Sequence, residues 1–167
     1  MNLSIELLKH NTMMNDRLIE VCRRLTDEQL ESTVEGTYGT IGATLVHVAD
    51  AQRSYAARFF GGERPQHLAE TPFPGFAALT AAFDDGNRLL VQAAAEADTD
   101  GYVIIDDDDP DTTWRMHRSL LLLQAINHGT EHRSQIATIL TQLGITAPEM
   151  DGWTFFFDAN HMEKLQD

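Results

Sequence analysis

The chain has 167 residues, with 12 Lys and Arg against 26 Asp and Glu, a formal net charge of −14, and one cysteine. That length fits a single domain over residues 1–167, large enough to bury a core without disulfides, and Cys22 has no partner for an internal one. So acidic a body argues against direct nucleic-acid binding, which draws its affinity from Lys and Arg neutralising phosphates.

The longest apolar stretches fall far short of the ~20 residues that span a bilayer, so no transmembrane helix is expected. The N-terminal residues lack the basic, apolar and small-residue regions of a secretion signal, and the expected location is the cytoplasm.

In chain order, Leu3, Leu7, His10, Met14, Leu18, Val21 and Leu25 recur at spacings of four and three, the stripe of a first helix ending before Thr26-Asp27. A second helix opens at Thr40, a suitable N-cap, carries Ile41, Leu45, Val48, Gln52, Tyr55 and Phe59, and stops at Gly61-Gly62. From Gly61 to Pro74, three prolines and several polar residues make a long crossing loop. A third helix follows Pro74 through Phe76, Leu79, Phe83, Leu90 and Ala94 to the neighbourhood of Asp98.

Tyr102-Val103-Ile104-Ile105 and Thr112-Thr113-Trp114-Arg115-Met116 have strand composition, and they predict a short β-hairpin around the run Asp106-Asp107-Asp108-Asp109-Pro110-Asp111. That run reads as a solvated turn, because no EF-hand spacing follows it. The last long helix spans Ser119 to Leu143 before Gly144, and a tail with Trp153 and Phe155-Phe156-Phe157 supplies aromatic surface. The expected fold is mainly α, a four-helix bundle with a long crossing loop and a short hairpin before the last long helix. The exposed aromatics and the Leu120–Leu123 run suggest a homodimer, with packing inside the monomer as the alternative.

His128 and His132 lie four apart within the last helix. On a helix such residues share a face with Cβ atoms roughly 5–6 Å apart, and their rings can converge on one divalent ion. The wheel puts His132 inside the apolar arc and His128 at its edge. Two ligands hold a metal poorly, and His47 on the second helix is the candidate third, although it lies beside Thr44, Ala51 and Ser54, off the centre of the stripe. The alternative is that each imidazole separately satisfies a carbonyl or a carboxylate. A ferritin-like dinuclear site is disfavoured, because no histidine has a glutamate three residues before it.

Around these ligands, Asp50 is a candidate to hydrogen-bond His47 from three residues on, and Gln135 to orient a ligand or a loop. His10, in the first stripe, is a candidate acid or base facing the same cavity. Arg133 reads as a surface salt bridge, Cys22 as buried and inert, and His67, His117 and His161 as solvated.

The lone His47 followed by Ala49-Asp50, then Asn127-His128, His132-Arg133 and Gln135-Ile136, then Leu143-Gly144 and Pro148 to Asp151, resembles the DinB / YfiT-like family of metal-binding four-helix bundles over nearly the whole chain. Ser134 stands where that family usually has Gly, and Glu131 where many members have another His.

The resemblance implies that His47, His128 and His132 bind one divalent ion, zinc or nickel foremost, with iron and manganese as further options. It also implies a metal-dependent enzyme in which a low-molecular-weight thiol or water is activated toward a small electrophilic substrate, as in a thiol S-transferase or a hydrolase. The competing expectation is a non-enzymatic metal-binding stress-response protein whose ion is structural. An interaction scaffold without metal is the third.

Overall fold

A computed structural model of the chain describes residues 2–96, 101–106 and 113–159. Four long helices form the bundle: α1 (Leu3–Cys22), α3 (Ile41–Phe59), α4 (Phe76–Ala95) and α5 (Ser119–Gln142). Short α2 (Asp27–Leu30) lies between α1 and α3, and α6 (Gly152–Asp158) follows α5. Helix α3 packs most extensively on α4 and α5, while α1 lies against the same two helices.

Local chemistry sets the helix boundaries. The Thr40 hydroxyl accepts from Ala43 N at the start of α3, and Asp151 caps α6 in the same way through Thr154 N. Thr26 and Gln29 form a reciprocal capping box on α2, which is too short to show a helical period in sequence. Gly61 and Gly144 take positive φ just beyond α3 and α5, where a side chain would be strained. The hairpin forms as expected: β1 (Tyr102–Asp106) pairs antiparallel with β2 (Thr113–His117), with Ile104 opposite Arg115. Its acidic turn, residues 107–112, lies outside the described residues, as does His161.

The interior consists of two apolar cores separated by a polar layer. One core holds Leu18, Leu45, Phe83, Ile136 and Leu140, and the other holds Leu8, Phe59, Leu90, Leu121 and Ala125. Between them, each long helix contributes buried polar residues: Asn11 and Asn15 from α1, Gln52 from α3, Asn87 from α4 and Arg133 from α5.

This layer corrects the first-helix stripe. Leu3 and Leu7 are 71% and 40% exposed, while Asn11 and Asn15 are buried, so the inward face of α1 is rotated from the one its leucines suggest. Helix α4 ends at Ala95, short of Asp98, which lies outside the described residues. Of the tail aromatics, Phe155 is buried while Trp153 and Phe157 are exposed, as are Leu120 and Leu123 on α5. Among the described residues no helix is long and apolar enough to cross a membrane.

Candidate metal centre

His47 on α3 and His128 and His132 on α5 converge where these two helices face each other. Their nearest ligand atoms all lie within 4.8 Å of one another. The Nε2 atoms of His47 and His128 are 3.0 Å apart, and the three ring centroids are separated by 4.9, 4.9 and 4.4 Å. Two nitrogens, each about 2.1 Å from an ion and at the tetrahedral angle, would stand roughly 3.4 Å apart. The His47–His128 pair is already near that spacing. Three histidines so placed can hold a metal ion.

Protonation suits the same role. Burial, followed by the nearby His132, lowers the His47 pKa below its ordinary value. Burial and then the two neighbouring imidazoles lower His128 from 6.5 to about 4. Both rings are therefore neutral at pH 7, as metal ligation requires.

One tautomer follows from hydrogen bonding. Gln135 Oε1 accepts from the backbone N–H of Tyr38 at 3.1 Å and lies 2.9 Å from His132 Nδ1. A backbone N–H can only donate, so the Gln135 atom facing it is the oxygen, and His132 Nδ1 must carry the proton that this oxygen accepts. Its Nε2 lone pair is thereby left for an ion. Glu70 Oε1 lies 3.7 Å from His47 Nδ1, which favours the proton on that nitrogen and again leaves Nε2 toward the centre. His128 Nδ1 is buried without a hydrogen-bond partner among the described residues.

Tyr38, in the turn before α3, was not singled out from sequence. Its ring stacks on His47 at 4.0 Å and meets His132 edge-on at 5.3 Å, and its hydroxyl donates to Glu70 at 3.0 Å. Burial, and then the Glu70 hydrogen bond, raise its pKa, so it remains a neutral donor. Tyr55 closes the other side, edge-on to His128 at 5.9 Å. Tyr38 lies in a Gly-rich turn and Glu70 in the crossing loop, where periodicity carries no information; their only sequence signal is an aromatic and an acid placed among turn residues.

Other expected roles change. Asp50 makes no hydrogen bond to His47; it accepts from Leu68 N at 2.7 Å and Arg53 at 3.1 Å, with His67 Nδ1 at 3.2 Å, and so ties the crossing loop to α3. His67 is therefore engaged with Asp50 although half-exposed. His117 is half-buried, meets the Tyr102 ring edge-on at 4.7 Å and lies 3.3 Å from Ser119 Oγ.

His10 packs edge-on against Phe155 of α6 at 5.6 Å, outside the histidine cluster. Arg133 is 4% exposed and pairs with no carboxylate among the described residues; it donates to Asn11 at 2.7 Å, Asn15 at 2.8 Å and Thr130 at 3.1 Å. Glu131 is exposed, on the outer side of α5.

A cavity of about 210 Å³ opens beside His47 and His128 and is walled by Ser54, Tyr55, Arg58 and Arg64. A model of the DinB family matches residues 1–164. The chain belongs to the DinB family. The crystal structure of a DinB-like protein from Bacillus cereus superposes on this DinB-family chain with a TM-score of 0.64 at 21% identity, covering 84% of this chain and 91% of that one. The likeness is one of fold, and it supports the helical bundle read from sequence. No curated protein matches the chain.

Proposed function

We propose that this DinB-family protein binds one divalent metal ion, zinc or nickel foremost, through Nε2 of His47, His128 and His132, and activates a small thiol or water toward an electrophilic substrate. The observation that carries this reading is the cluster itself: three imidazoles within 4.8 Å, one held in its ligating tautomer by Gln135, beside an open cavity. A divalent ion held by three neutral imidazoles lowers the pKa of a thiol or water brought to it.

The chain's own groups do the rest. Gln135 and Glu70 set the orientation of His132 and His47, and Tyr38 covers both rings. Glu70 lines the cavity and, on releasing the Tyr38 hydroxyl, would take the proton released there. Sulfur or oxygen then forms its bond to the electrophile as the leaving group departs.

The competing reading is a structural ion that ties α3 to α5, favoured by the origin of the ligands on those two helices. A homodimer joined through exposed Leu120, Leu123, Trp153 and Phe157 belongs to the same proposal, and sedimentation at several concentrations tests it.

The deciding experiment is elemental analysis of untagged wild type, His128→Ala and His132→Ala. Near-stoichiometric metal lost in both variants supports the site, whereas a wild type that takes up neither zinc nor nickel ends the reading. A large loss of thermal stability on chelation, without thiol binding, would favour the structural ion.

A further inference from the structure

The cavity beside the histidines has a second pole. Along α3, His47, Ala51, Ser54 and Arg58 follow one another at spacings of four, three and four, and all four line the same space. The two small residues leave the wall between His47 and Arg58 open. Arg64, in the loop beyond α3, reaches the same cavity.

Neither Arg58 nor Arg64 has an ion pair or hydrogen bond among the described residues, whereas Arg17, Arg23, Arg53 and Arg88 each meet a carboxylate. In a chain with 26 acidic and 12 basic side chains, two arginines without ion pairs among the described residues lining one cavity go against the general balance.

The acids that share the cavity are committed elsewhere. Asp50 is taken by Arg53, His67 and Leu68 N, and Glu70 by Tyr38 and His47. Independently, Ser54 lines the cavity, and its buried Oγ has no hydrogen-bond partner among the described residues. That hydroxyl and these two arginines are complementary to one kind of group, an oxyanion. Because Asp50 and Glu70 stand in the same walls, a singly charged carboxylate fits better than a dianionic phosphate.

We propose that Arg58, Arg64 and Ser54 form a carboxylate subsite, and that the substrate taken at the histidine cluster carries its carboxylate some distance from its reacting atom. The eleven residues from His47 to Arg58 rise about 16 Å along the helix, and an arginine side chain leaning back toward the N-terminus closes part of that gap. A molecule of several bonds between thiol and carboxylate therefore matches the site better than a two-carbon one. This inference rests on the reading of the cluster as a metal centre with a substrate side.

The test is calorimetry with two probes matched in length, 6-mercaptohexanoate and 6-mercapto-1-hexanol, on zinc-loaded and metal-free full-length protein. The carboxylate should bind at least about tenfold more tightly than the alcohol, the worth of one charge-assisted hydrogen bond. Arg58→Gln and Arg64→Gln should each remove most of that preference, leave the alcohol unaffected, and mimic what added salt does to the wild type.

Equal affinities for the two probes, a preference indifferent to the arginine changes, or no binding of the carboxylate to either form would overturn the subsite. Failure of zinc to tighten either probe would instead count against the metal-centre reading, and an arginine-dependent preference in metal-free protein would still support the subsite.

Discussion

Gln135 and His132, three residues apart on α5, are joined by a 2.9 Å hydrogen bond whose direction is fixed by a third group, the backbone N–H of Tyr38. One amide oxygen thus sets the tautomer of an imidazole and the position of the turn that brings Tyr38 over His47. Replacing Gln135 with Leu removes both restraints and lets His132 present either nitrogen. Metal affinity should fall about 10- to 100-fold, the usual effect of losing a hydrogen bond behind a ligating histidine. Competition against a chromophoric chelator measures it, and unchanged affinity would show that helix packing alone orients His132. Gln135→Glu, which keeps the acceptor, should retain most of the binding.

The metal-free protein should lose stability as pH falls below about 6.5. His128 titrates at 6.5 when unfolded and at about 4 when folded, because burial and then the two neighbouring imidazoles disfavour its charge. Between those values the unfolded chain binds more protons, so stability present above 6.5 is lost progressively toward 4. His47 and His10, both lowered chiefly by burial, act in the same direction. Asp16, raised by burial and then by Asp84 and Glu20, acts in the opposite direction at lower pH. Urea midpoints at pH 7, 5.5 and 4.5 in chelator should therefore descend for wild type and descend less for His128→Gln. Parallel curves would contradict this assignment.

The elements were legible wherever a face was uniformly apolar. Thr40 marked the start of α3, and Pro74 announced α4 within a residue or two. The β-branched, aromatic composition of Tyr102 to Ile105 and the alternation of Thr113 to Met116 predict the hairpin. The polar layer was not legible, because Asn11, Asn15 and Arg133 read as exposed by type and only their mutual satisfaction makes burial tolerable. Spacing and residue type alone therefore set Leu3 and Leu7 inward on α1 and Arg133 at the surface, the reverse of what the structure shows. The histidine cluster could be read from spacing on α5 and a lone His on α3, whereas Tyr38 and Glu70 reach it from loops, where no period exists.

Cys22 should resist alkylation in the native state. It is fully buried, and burial pushes its thiol up from 9.0 to about 12, so the thiolate fraction near neutral pH is lower by about a thousandfold. Labelling with iodoacetamide should be at least that much slower in buffer than in denaturing urea. Rapid native labelling would mean that α1 opens readily from the bundle.

Gly129 on α5 presents two opposed effects whose magnitudes decide the sign. Alanine in a helix interior is favoured over glycine by about 1 kcal/mol. A Cβ at this position, however, would stand 2.8 Å from Asn11 Oδ1 and 2.9 Å from Arg133 Nη1, the two atoms of the hydrogen bond at the centre of the polar layer. Both belong to flexible side chains, yet neither can move without uncoupling a buried guanidinium from an acceptor, and overpacking of this kind costs about 1–3 kcal/mol. Gly129→Ala should therefore destabilise by up to roughly 2 kcal/mol in spite of its helix propensity. In an Asn11→Ala background the obstructing oxygen is gone, so the same substitution should cost less or become stabilising. Chemical denaturation of the two single variants and the double variant measures the coupling directly. Additive effects would show that the close approach of Gly129 to Asn11 is not what excludes a side chain there.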